Sequence, residues 1–267
     1  MAAPSDRPQP DPAPLAGRVA LVSGAGSAEG IGFAIARRLA GDGAAVALGA
    51  TGPHVLERVE ELVAGGATAA GFQADLRDRE AAAEAVADIV STLGPVDVLV
   101  NNAGMGTRAE PAPAASLVDL DPEDWDRQLQ MTLTSAFNVT RLLLPGMLER
   151  GWGRVINIGS VTGPLVSYAG QSAYAAAKGG LDGLMRTAAI ECAAGGVTVN
   201  TVAPGWIATA ASSEEEIAAG EASPLGRPGR PREIAAAVAF LASPDAAYVT
   251  GHSLVVDGGN SVAEDHR

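Results

Sequence analysis

From Gly17 onward, short apolar runs alternate with longer alanine-rich stretches of helical period, and that alternation leaves few folds open. RVALVSG precedes IGFAIARRLAGDG, AAVALGA precedes VLERVEELVAGG, and TAAGFQA precedes a helical pattern from Asp78 to Leu93. VDVLVNNAG follows, then a long helical segment from Pro122 to Arg150 in which Pro145 predicts a break. RVINIGS, a helix carrying Tyr174, VTVNTVAPG, REIAAAVAFLAS and HSLVVDGG complete the series. The strand runs are continuously apolar instead of alternating, which marks strands covered on both faces. The fold class expected is α/β: a single-domain Rossmann-type doubly wound parallel sheet of about seven strands, with helices on both faces.

The domain is expected to span residues 17–260. Residues 1–16 carry five prolines and no hydrophobic stretch, and read as a disordered tail instead of a signal peptide or anchor. Residues 261–267 read as a polar tail, and the acidic SSEEEIAAGEAS (212–223) as a helix-containing flap. A net charge of −13 argues against nucleic acid and anionic membrane surfaces as partners. No apolar run approaches the roughly 18 residues that span a bilayer. The lone Cys192 excludes an intramolecular disulfide and fits a reducing, cytoplasmic setting. No cysteine–histidine set suggests a metal.

Within this frame, two places carry chemistry. SGAGSAEGIG lies between the first strand and its helix, where Gly24, Gly30 and Gly32 allow a sharp turn and close approach of a pyrophosphate to a helix N-terminus. Downstream, Ser160 ends a strand, and Tyr174 and Lys178 lie four residues apart on one helix face. A tyrosine near its reference pKa of roughly 10 is a poor acid/base at neutral pH. A nearby ammonium lowers that value, which predicts Tyr174 as the general acid/base.

The glycine loop, NNAG (101–104), Ser160, Tyr174-x-x-x-Lys178, Pro204-Gly205 and the closing VDGG together resemble the short-chain dehydrogenase/reductase family, over about Gly17 to Asn260. Within it the chain is similar to 3-oxoacyl-thioester and related ketone reductases. The resemblance implies that Ser160 holds the substrate oxygen, Tyr174 exchanges its proton and Lys178 grips the nicotinamide ribose. It implies a cofactor site of Gly24, Ser27, Gly30, Ile31, Gly32, Thr51, Asp75, Leu76, Asn102, Ala103, Gly104, Tyr174, Lys178, Pro204, Gly205, Ile207 and Thr209. Asp75 would meet the adenine, and Ile207 and Thr209 the carboxamide and phosphates. Met105, Val166, Ser167, Tyr168 and Trp206 are the expected substrate lining, and a homotetramer or homodimer the expected assembly.

Three departures stand out. Thr132 occupies the place of a family Asn that supports a relay water, so the Thr hydroxyl holds that water, the backbone suffices, or the relay is impaired. The glycine loop is longer than in most ketone reductases and resembles that of enoyl-thioester reductases, whose Tyr and Lys are spaced more widely than here. Gly151 and Gly195 stand where carrier-protein reductases present docking arginines, with Arg150 one step away, and an acidic chain would repel an acidic carrier. A free small ketone or secondary alcohol is therefore the expected substrate.

Ala50-Thr51-Gly52 lacks the acid that would bind the ribose diol of NAD, and Thr51, His54 or Arg58 is available to a 2′-phosphate. Glu29 argues the other way, and the balance favours NADP over NAD. The contrasting reading is an NAD(P)-sensing protein without turnover.

Overall fold

The computed structural model describes residues 13–104 and 114–263. Seven strands, β1 (Val19–Ser23), β2 (Ala45–Ala50), β3 (Ala69–Gln73), β4 (Val98–Asn101), β5 (Gly153–Ile158), β6 (Val197–Pro204) and β7 (Ser253–Val256), form one sheet in the order β3-β2-β1-β4-β5-β6-β7. Every pairing is parallel. The chain runs outward from β1 to β3, then returns to β1's other side with β4. That reversal opens a crevice at the carboxyl ends of β1 and β4, where ligands of such sheets sit.

The helices are α1 (Ile31–Gly41), α2 (His54–Ala64), α3 (Arg79–Leu93), α4 (Pro122–Leu129), α5 (Ser135–Glu149), α6 (Ser172–Cys192), α7 (Glu214–Glu221) and α8 (Pro231–Ala242). Along β1 the side chains divide by parity. Ala20 and Val22 join a core with Ile35 and Leu39 of α1 and Ile234 and Val238 of α8. Val19 and Leu21 join a second core with Ile89 of α3, Val139 of α5 and Met185 of α6. Both faces of the central strands are buried, which is why their runs are predominantly apolar. Each fully buried Leu or Ile is worth about 1.5–3 kcal/mol.

Pro122 takes the first helical position of α4, with the Asp121 side chain accepting from Glu123 N at 2.8 Å. The break in the long helical segment does not fall at Pro145, which sits inside α5. Both Pro145 and Arg141, whose carbonyl the missing N–H leaves unpaired, are solvent-exposed, so water can satisfy that carbonyl. The break is instead a π turn over Gln130–Thr134, between α4 and α5.

The ordered domain also starts earlier than expected. Leu15 is buried at 1% exposure, and its N–H donates to Asp42 O at 2.9 Å. Residues 13–16 are therefore part of the domain and not of a tail. The acidic segment holds α7, closed at its start by a reciprocal cap between Ser213 and Glu216. After the last strand, the Asp257 carboxylate accepts from Gly259 N and Ser261 N, which carries the ordered chain into residues 261–263.

Candidate active site

The glycine loop leaves β1 and meets the loop leaving β4. Ser23, the last residue of β1, uses its hydroxyl to accept from Asn102 N at 3.0 Å and Ala103 N at 3.1 Å. Asn102 Nδ2 in turn donates to Ser23 O at 3.0 Å and Gly24 O at 2.9 Å. The fit is close enough to require glycine. Gly24 has φ +67°, and a Cβ on Gly32 would lie 2.5 Å from Gly24 O. Gly30 caps α1 without any side-chain bond, and the first turn of α1 contains no acid. Its free N–H groups and dipole suit an anion. Ser27 and Ile31 flank that turn, and Glu29 is exposed beside it.

The catalytic candidates meet at the carboxyl end of β5. Ser160 is buried, accepts a hydrogen bond from Thr162 N at 3.0 Å and lies close enough to Tyr174 to perturb its phenol. Lys178 is buried one helical turn beyond Tyr174, its Nζ 5.6 Å from the phenol ring centroid. That Nζ donates to Ile158 O at 2.7 Å. Electrostatically the pair differs from expectation. Burial pushes the Tyr174 phenol up to about 12; the nearby Ser160 hydroxyl opposes the rise and the flap carboxylate of Glu216 adds to it. Burial also draws the Lys178 ammonium down to about 8. Desolvation thus governs both groups in the cofactor-free protein, and the lowering expected from Lys178 is not seen.

Thr132 is wholly buried, and its hydroxyl donates to Gly104 O at 2.7 Å while accepting from Gln128 Nε2 at 2.9 Å. Its one proton goes to the Gly104 carbonyl, which ties the π turn to the loop leaving β4. Gln128 was not singled out in the sequence; a glutamine on an amphipathic helix gives no signal of burial. Ser23, the knot between the loops leaving β1 and β4, was likewise missed.

Asp75, the residue expected to meet the adenine, lies beyond β3 with its carboxylate paired to Arg77, which holds its pKa below the usual range. Asn138 of α5 donates to Leu76 O at 3.0 Å and fixes that loop. Thr51 is exposed after β2, and its carbonyl accepts from Gln73 Nε2 at 2.9 Å. His54 pairs with Glu57, and Arg58 with Glu57 and Glu61, so both side chains already face carboxylates.

Beyond β6, Pro204-Gly205 passes so close to Asp257 that a Cβ on Gly205 would lie 2.7 Å from its side chain. Ile207 bridges to Gly229, and the Thr209 N–H donates to Ser212 Oγ at 3.0 Å. Of the substrate candidates, Tyr168 and Trp206 stack with ring centroids 5.8 Å apart, Val166 bridges to Thr162 and Ser167 is exposed. Met105 lies outside the described residues.

Three comparisons bear on this arrangement. A family model described as enoyl-(acyl carrier protein) reductase matches residues 24–261. The 3-oxoacyl-[acyl-carrier-protein] reductase of Vibrio cholerae is 43% identical over 249 residues, covering 92% of this chain and 98% of that protein. This chain belongs to the short-chain dehydrogenase/reductase family. Nodulation protein G of Azospirillum brasilense is also 43% identical, over 91% of this chain and 97% of its own. A solved structure of a candidate gluconate dehydrogenase from Agrobacterium tumefaciens superposes with TM-score 0.86 at 33% identity, covering 94% and 98% of the two chains. Short-chain dehydrogenases/reductases are NAD(P)-dependent oxidoreductases, and the glycine cradle and uncapped α1 N-terminus fit such a dinucleotide. No helix among the described residues is long and apolar enough to cross a membrane.

Proposed function

We propose that this protein interconverts a small ketone and its secondary alcohol with a nicotinamide dinucleotide, NADP in preference to NAD. The observation that carries the reading is the meeting of buried Ser160, at the carboxyl end of β5, with Tyr174 and Lys178, which lie one turn apart on α6 with the Lys178 Nζ 5.6 Å from the phenol ring centroid. The nicotinamide supplies or accepts the hydride. Ser160 holds the substrate oxygen, Tyr174 exchanges a proton with it, and the Lys178 ammonium is placed for the ribose hydroxyls. The preference for NADP rests on Thr51, where a carboxylate would otherwise repel a 2′-phosphate.

The substrate is read as free and small. Arg150, the cation nearest to the docking positions, is tied to Val96 O at 2.7 Å and to Asp97. Gly151 has φ +68°, a backbone poorly suited to an arginine. An enoyl reductase is the second reading, favoured by the description of the matching family model. The one-turn spacing of Tyr174 and Lys178 favours the ketone. A homotetramer in the cytoplasm is the assembly and location proposed by similarity to the family.

The test is dinucleotide oxidation across panels of ketones and enoyl thioesters, with cofactor binding followed by fluorescence. Ketone turnover that disappears in Tyr174→Phe supports the proposal. Turnover of enoyl thioesters alone, or binding without any turnover, would reject it in favour of the enoyl reductase or the redox sensor.

A further inference from the structure

Gln128 has no exposed surface, yet it lies on α4 in a position that an apolar side chain could fill. Its Nε2 donates to Thr132 Oγ1 at 2.9 Å and to Gly104 O at 3.2 Å, and Thr132 Oγ1 donates to the same carbonyl at 2.7 Å. Gly104 O therefore accepts two bonds and has no lone pair to spare. The fit is tight, since a Cβ on Gly104 would lie 2.9 Å from Thr132 Oγ1. Gln128 Oε1 is buried with no partner. An orphaned buried acceptor costs stability, so a residue selected for packing alone would not be an amide.

These bonds join three parts of the active site. Gly104 ends the loop whose Asn102 and Ala103 are knotted to Ser23 under the cofactor cradle. Thr132 belongs to the π turn. The next residue, Leu133, packs so closely against α6 that a Cβ on Gly180 would lie 2.9 Å from its side chain. The helix so contacted carries Tyr174 and Lys178. An asparagine at 132 would bring two N–H donors on one side chain, whereas threonine brings one.

We infer that Gln128 is a positioning residue that, with Thr132, replaces the single amide expected at position 132 and fixes the Gly104 carbonyl, and with it the cofactor loop against the catalytic helix. The inference rests on the reading of the site as a dinucleotide-dependent reductase. It makes positions 128 and 132 interdependent, which packing alone does not require.

The experiment compares wild type, Gln128→Leu, Thr132→Asn and the double variant. NADPH dissociation constant, kcat and KM on a ketone that the wild type reduces, and unfolding midpoint are measured for each. Gln128→Leu should weaken NADPH binding and lower kcat by about tenfold, with the midpoint held or raised. In the Thr132→Asn background the same change should cost less than about twofold, because the new amide carries the carbonyl alone. Equal losses in both backgrounds, or none in either, overturn the inference. Gln128→Met repeats the comparison if the leucine variant does not fold; failure of both to fold makes position 128 a packing residue and overturns it too. A wild type that binds NADPH but reduces no ketone refutes the proposed function alone, because the dissociation constants still report on the clamp.

Discussion

Replacing Lys178 by methionine should make the cofactor-free protein more stable near neutral pH while abolishing its function. The ammonium is 3% exposed and donates to Ile158 O, and burial lowers its pKa from 10.5 to about 8. At 1.36 kcal/mol per pKa unit, holding that charge in the fold costs on the order of 3 kcal/mol. Methionine fills similar space without the charge but leaves Ile158 O without its donor, which returns about 1–2 kcal/mol. The net gain near pH 7 is about 1–2 kcal/mol, or roughly 2–8 °C in Tm for a chain of this size.

The sign of the pH dependence separates this account from simple repacking. Below pH 8, folded and unfolded chains both hold the proton, and the wild type bears the whole cost. Between about 8 and 10.5 the unfolded chain keeps a proton that the folded chain has released. Wild-type stability contributed by this group therefore rises with pH through that window. The methionine variant has no such group, so its advantage should shrink and then reverse near pH 10. Urea unfolding of both proteins without cofactor, near pH 7 and near pH 10, measures this difference. A stability difference that stays flat between the two pH values would refute the buried-charge argument.

Tyr174→Phe should lower kcat by about 10²–10⁴-fold with little change in the NADPH dissociation constant, read by steady-state kinetics and fluorescence titration. NADPH binding should weaken as pH rises through about 8, where Lys178 loses the proton it offers the ribose, and Lys178→Met should bind weakly with no such transition. Thr51→Asp should move kcat/KM toward NAD by placing a carboxylate after β2, and a wild type already strongly selective for NAD would contradict the proposed preference.

Much of the fold was visible in the sequence because both faces of the sheet are buried: runs such as Val19–Ser23 and Val98–Asn101 had no polar face to obscure them. The Tyr174–Lys178 juxtaposition was visible for a similar reason, since helical spacing alone places both residues on one face. What stayed hidden depends on contacts between distant segments. The π turn over Gln130–Thr134 contains no glycine or proline, and Pro145 drew attention to a place where solvent exposure makes it harmless. Leu15 lies among prolines, and its packing against the core, with its N–H on Asp42 O, pulls residues 13–16 into the domain. The raised Tyr174 pKa was equally out of reach, because the depth of burial that causes it cannot be read from spacing.

The π turn also divides one long helical segment into halves that answer to different neighbours. Upstream of it, α4 packs against α6, and downstream α5 packs against α3 and β5. A single residue added to or removed from an α-helix rotates everything beyond it by about 100°. The widened turn absorbs such an extra residue locally, as π-bulges do, so each half keeps its own apolar face in phase with its own partner. Deleting one residue between Gln130 and Thr134 would leave both helices chemically intact but angularly mismatched. Either Asn138 would swing away from the Leu76 loop it anchors, or Gln128 would swing away from Gly104. The Leu76 loop and the Gly104 loop at the rim of the crevice are thus held in register by the phase of this one turn.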